Sequence, residues 1–208
     1  MTVAALPFGK FDERSLNNPL SAEHRRELAL ARDRARVIRK TARVASFNGW
    51  TTAIIAALST PFSLTSLVGL AVTAGIALVA FNEFRGRKRL LNFEPSGPTL
   101  LGWNQVGFLA MITVYCLWMM YTGVQGSSAA VEEIKAVGGD LDAVFASSGG
   151  LAAFYKQFVV IFYGAVIGLS VLFQGGTALY YFSRRRHVEE YVAETPEWVR
   201  DVLRSAQA

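Results

Sequence analysis

One carboxylate in this chain stands where an apolar run ends. Glu83 follows the apolar stretch 64–82 and precedes Arg85, Arg87, Lys88 and Arg89. A carboxyl group deep in a membrane is costly to bury and usually marks a proton or cation path. A carboxyl group at the membrane surface, one helical turn from arginines, usually marks a structural ion pair. The position of Glu83 favours an ion pair with Arg85 or Arg87, with the proton or cation role as the alternative. Five carboxamides, Asn48, Asn82, Asn104, Gln105 and Gln174, lie on or beside the apolar runs. Two readings are open for them. They could hydrogen-bond between helices and lock packing, at about 0.6–2 kcal/mol per contact, or line a polar cavity made of Asn48, Glu83, Asn104, Gln105 and Gln174.

Other reactive side chains are sparse. Cys116 is the single cysteine and sits among apolar neighbours, so no intrachain disulfide can form and a structural zinc site lacks ligands. His24 and His187 stand in polar, basic surroundings and read as solvated. The sequence contains no phosphate-binding glycine loop, no dinucleotide fingerprint, no Gly-x-Ser-x-Gly and no HExxH. We therefore expect no catalytic residue, cofactor or metal, and an activity that is not enzymatic.

The elements that position these groups follow from charge and apolarity. Nineteen of the 21 Lys and Arg residues fall on segments 1–43, 83–94 and 184–208. Between them run apolar stretches at 44–60, 64–82, 100–122 and 151–183. Charged residues make up 18% of the chain, and mean hydropathy is +0.30. Soluble domains carry roughly 25% charge, and about 20 apolar residues suffice for one span. The expected fold is all-α: a polytopic membrane protein of four transmembrane helices. It has a basic amphipathic N-terminal helix and a short C-terminal cytoplasmic helix. In domain terms, 1–43 is a cytoplasmic arm and amphipathic helix, 44–183 the four-helix membrane domain, and 184–208 a cytoplasmic helical tail. Too little chain remains for a separate soluble domain with its own core. The net charge of +5 is attributed to the inside-positive bias of membrane proteins and not to nucleic acid.

Along the chain, residues 1–20 read as an extended arm, and Ser21 as a helix N-cap ahead of Glu23 and Glu27. Arg25, Arg32, Arg36, Arg39 and Arg43 then share one stripe, with Leu30, Val37 and Val44 opposite. Together with Arg87, Lys88 and Arg89 they are the candidates for contacting anionic headgroups or a partner. Pro61 is expected to end the first span in a charge-free turn at 59–66. Residues 44–82 then form a helical hairpin, either fully crossing or re-entrant. Gly69 and Gly75, and the Gly164-x-x-x-Gly168 pair, are the candidate close-packing positions. Pro95 and Pro98 should turn the chain back into a third span. The loop 123–150 carries Glu132, Glu133, Asp140 and Asp142 on the outer side, with one or two short helices at about 128–147. The last stretch, 33 residues long, would reach about 50 Å and is expected to begin outside the bilayer, to tilt, or to bend at Gly175-Gly176. Thr195-Pro196-Glu197 should start a last helix with Trp198, Val199, Val202 and Leu203 on its apolar side.

The function expected from this pattern is assembly: a scaffold, an accessory subunit or a small homo-oligomer, with membrane lipids and other membrane subunits as partners. The alternative is an oligomeric ion channel or small-solute pore or transporter, lined by the Asn, Thr and Ser residues of the first span. The compact chain without sorting signals suggests a bacterial inner membrane, with both termini cytoplasmic.

Overall fold

The computed structural model describes residues 20–138, 144–145 and 149–205. The expected arm and the acids Asp140 and Asp142 lie outside that range. The described residues are helical and contain no strand.

Helix α1 spans Ala22–Ser63, 42 residues, or about 63 Å at 1.5 Å per residue. Ser21 caps it by accepting from the His24 amide at 3.1 Å. The basic segment and the first apolar stretch are therefore one rod, with no break at residue 43. Its buried positions include Leu28, Ala31, Ala35, Ile38, Ala42, Ala45, Gly49, Thr52 and Ala56. These advance by alternate steps of three and four, the heptad spacing of a coiled-coil seam. Most are small, so a neighbouring helix can approach closely. This corrects the expected apolar face, since Leu30 is 51% exposed and Val37 and Val44 are only half-buried. Close packing selects the small side chains, not the large ones.

Pro61 does not end α1. It falls in the last turn, and the helix continues to Ser63, leaving a turn of only residues 64–66. Ser66 caps helix α2, Leu67–Leu91, by accepting from the Gly69 amide. The basic run 85–89 is thus helical. At the end of α2 the Glu94 amide donates to the Arg89 carbonyl at 2.9 Å, closing the helix in a Schellman-like turn. The left-handed residue there is Phe93, at φ 58°, where glycine is usual. A side chain in that region costs about 1–2 kcal/mol. Burial of the Phe93 ring against Tyr191, at 4.7 Å between centroids, offsets it.

Helix α3, Ser96–Gln125, begins before the expected residue 100. Pro98 lies in its first turn, where a missing N–H costs nothing. Helix α4, Ser127–Gly138, is a short helix in the 123–150 loop, where one or two are expected. Helix α5, Leu151–Ser170, a π-helical turn at Val171–Gly175, and helix α6, Gly176–Glu194, join as one rod. Its 44 residues reach about 66 Å, and the π turn ends at Gly175, the first of the two glycines where a bend is expected. Helix α7, Glu197–Ser205, follows Pro196 and buries Val199 and Leu203. Trp198 and Val202, expected on the same side, are exposed.

Each long helix packs antiparallel on the next, and glycines sit at the closest approaches. A Cβ on Gly49 would touch Glu83 and Phe84, one on Gly86 would overlap Leu101, and one on Gly102 would overlap Phe182. Helix α3 thereby sits between α2 and the α5–α6 rod. The most completely buried cluster lies at the arginine-rich end. There α1 packs with Leu90, Phe93, Leu101, Tyr181, Val188, Tyr191, Val199 and Leu203. The ends of α1 and α6 extend past the apolar stretches and build this cluster with α7.

Three helical segments, Leu67–Leu91, Ser96–Gln125 and Leu151–Glu194, are long and apolar enough to cross a membrane. On that basis the chain is an integral membrane protein. The fourth expected span, the second half of α1, is not among them, because Asn48, Thr51, Thr52, Ser59 and Thr60 dilute its apolar character.

Candidate functional site

A buried polar knot and a basic end

The side chain of Glu83 points into the bundle and is fully buried. Its Oε1 accepts from Gln105 Nε2 at 2.7 Å and from Asn104 Nδ2 at 3.1 Å. Its Oε2 accepts from the Tyr181 hydroxyl at 3.1 Å. Asn48 Nδ2 donates in turn to the Tyr181 oxygen at 3.2 Å, and Asn104 Nδ2 also reaches the Val79 carbonyl at 3.0 Å. One carboxylate therefore ties α1, α2, α3 and α6 together. A second link stands beside it, Thr41 Oγ1 to the Tyr180 hydroxyl at 3.3 Å.

This geometry corrects the expected ion pair. Among the described residues no Lys or Arg pairs with Glu83; Arg85 is exposed on the opposite side of α2, and Arg87, one turn along the helix, is also exposed. The helical period explains it: Glu83 shares its face with Val79, Gly86 and Leu90, all buried. Four of the five cavity candidates, Asn48, Glu83, Asn104 and Gln105, do meet. They meet as a closed network in which each oxygen of the carboxylate has a donor. Gln174 does not join them. It stands at the π turn, half-buried, with its Oε1 shielded and unpartnered. Tyr181 completes the knot and was not among the candidates. Its signal was available: it sits three residues before Arg184, close to the depth of Glu83, two residues before Arg85.

The basic candidates divide by environment. On α1, Arg25, Arg32, Arg36 and Arg43 are exposed, while Arg39 is half-buried. Arg87 and Lys88 are exposed, and Arg89 lies 3.9 Å from Glu94. Arg39, Arg43 and Arg87 line one cleft of about 290 Å³ between α1 and α2, floored by Ala42 and Leu91. A second cleft, of about 520 Å³, lies between Arg89, Arg185, Trp103 and the start of α3. Both of its arginines are paired, Arg89 with Glu94 and Arg185 with Glu189.

The glycine candidates divide as well. Gly69 abuts the Ser63 backbone and Gly75 abuts Met111, so both are closely packed inside the chain. Gly164 and Gly168 have nothing within 4 Å of an added Cβ, so their face takes no part in packing within the chain. Gly49, Gly86 and Gly102, outside the expected set, hold the interhelical contacts described above.

No family model matches the chain, and neither a curated protein nor a solved structure matches it.

Proposed function

We propose that this is a non-enzymatic four-span membrane protein that works by assembly, as a homo-oligomer or as a subunit beside other membrane chains. The observation that carries the proposal is the open face of α5. Gly164 and Gly168 lie on an apolar helix with empty space over both. Each glycine in a helix costs about 1 kcal/mol relative to alanine. In lipid that cost is recovered only where another helix approaches closely. Within this chain none does.

The fourth span of this reading is the second half of α1. Its inner stripe is small, and its outer stripe changes character once. Arg32, Arg36 and Arg43 give way to Phe47, Trp50, Ile54 and Leu58, all exposed. Small residues inside and large apolar ones outside invert the pattern of a water-soluble helix and suit lipid. Residues 44–63 reach about 30 Å, the thickness of the hydrocarbon core. The hairpin tip shares a cleft with Trp118 and Met119 near the far end of α3, and aromatic residues such as Trp118 favour the membrane–water interface. Full crossing is therefore favoured over a re-entrant hairpin, with both termini and the arginine-rich end inside.

A pore lined by α1 is the weaker reading, because its polar residues face other tasks. Asn48 belongs to the knot, Thr52 is buried, and Thr60 donates to the Ala56 carbonyl at 2.9 Å. The experiment that tests assembly is mass measurement of the particle excised from its own membrane in polymer-bounded discs, without detergent. Two or more chains, or this chain with another, support the proposal. A single chain refutes it.

A further inference from the structure

The cleft between Arg39, Arg43 and Arg87 gathers three arginines from two helices, without ion-pair partners among the described residues. Three guanidinium groups from two helices border one space of about 290 Å³. Among the described residues none of the three has an ion-pair partner, whereas Arg34, Arg89, Arg185, Arg186 and Arg204 all do. The Arg39 Nε is shielded from solvent and has no acceptor. An N–H donor left that way costs about 1–3 kcal/mol, and three like charges around one cleft repel. An anion in the cleft relieves that repulsion.

Depth identifies its kind. Arg43 is the last charged residue of α1 before Phe47, and Arg87 follows the last apolar turn of α2. The cleft therefore opens where the apolar stretches begin, with Ala42 and Leu91 as an apolar floor. We propose that it binds the phosphodiester headgroup of an anionic phospholipid, with the glycerol and acyl chains descending along the α1–α2 hairpin. Planar guanidinium forks match phosphate oxygens in pairs. The proposal rests on the membrane reading of the chain and is independent of whether the chain assembles.

The test uses the full chain in a zwitterionic detergent. Phosphatidylglycerol is titrated in, and bound lipid is counted by native mass spectrometry. R43Q/R87Q removes two exposed arginines of the cleft and should weaken the first lipid by about 30-fold. R32Q/R36Q removes the same charge from the same stripe outside the cleft and should leave that affinity within about threefold of the parent. R43K/R87K, which keeps the charge without the fork, should fall between. Equal weakening by the first two variants would overturn the site in favour of diffuse attraction, and so would a lysine pair no better than the glutamine pair. Inorganic phosphate competing at the concentration of the lipid would overturn the lipid assignment, since a soluble phosphate would then be the ligand. Loss of lipid binding with an unchanged particle mass, or the reverse, separates this site from the assembly proposal.

Discussion

Replacing Glu83 by Gln keeps the shape of the side chain and reverses one of its hydrogen-bonding atoms. The carboxylate receives donors on both oxygens: two amide groups at Oε1 and the Tyr181 hydroxyl at Oε2. If the new amide nitrogen takes the Oε1 position, it faces the Asn104 and Gln105 amides donor to donor. If it takes the Oε2 position, the Tyr181 oxygen can accept from it, but while Asn48 keeps its Nδ2 on that oxygen the hydroxyl proton is left with no acceptor. The second arrangement strands one buried donor, so E83Q should cost about 1–3 kcal/mol. E83A strands the Gln105 amide and the Tyr181 hydroxyl, leaves Asn104 only the Val79 carbonyl, and opens a void. Its cost should be about 3–5 kcal/mol. Reversible unfolding in mixed micelles, followed by helix content, measures both. The expected order is parent, then E83Q, then E83A. If both variants unfold within about 0.5 kcal/mol of the parent, surface-like behaviour, the four-helix tie is not what holds these helices together.

Further outcomes follow from the same contacts. Y181F should cost about 1–2 kcal/mol in the same assay, since it removes the hydroxyl that joins Glu83 to Asn48. R85Q should change stability by less than about 0.5 kcal/mol, because the exposed Arg85 is not the partner of Glu83. G102A should destabilise by about 1–3 kcal/mol, because its methyl would overlap Phe182. G164A meets open space within the chain, so in a detergent-isolated monomer it should be neutral or stabilising by up to about 1 kcal/mol. A35L should destabilise by about 1–3 kcal/mol, because Ala35 is fully buried in the α1 seam; thermal unfolding of the full chain checks it.

Much of this arrangement was legible in the residues. Apolar runs bounded by arginines located the long helices, and Ser21 and Pro196 marked the helix starts that the structure has. The polar cluster was visible as a set of carboxamides near one depth. Three things were not legible, each for a physical reason. The face of Glu83 depends on the rotation of α2, and a local view of charges favours the nearby arginines over donors on other helices. The seam of α1 is made of alanines, which hydrophobicity ranks below Leu30 and Val37 although close packing prefers them. The left-handed Phe93 carries no sequence mark, because its strain is offset by a ring 98 positions away in the chain, on Tyr191.

The open face of α5 is where the account is most directly tested. With Cys116, the only cysteine, replaced by serine, a cysteine at Gly168 and a control at the exposed Phe162, on another side of α5, are oxidised in native membranes. The account predicts that G168C yields a cross-linked species, as a homodimer or as an adduct with another membrane chain, and that F162C yields little. No adduct from G168C, or equal adducts from both positions, would contradict it.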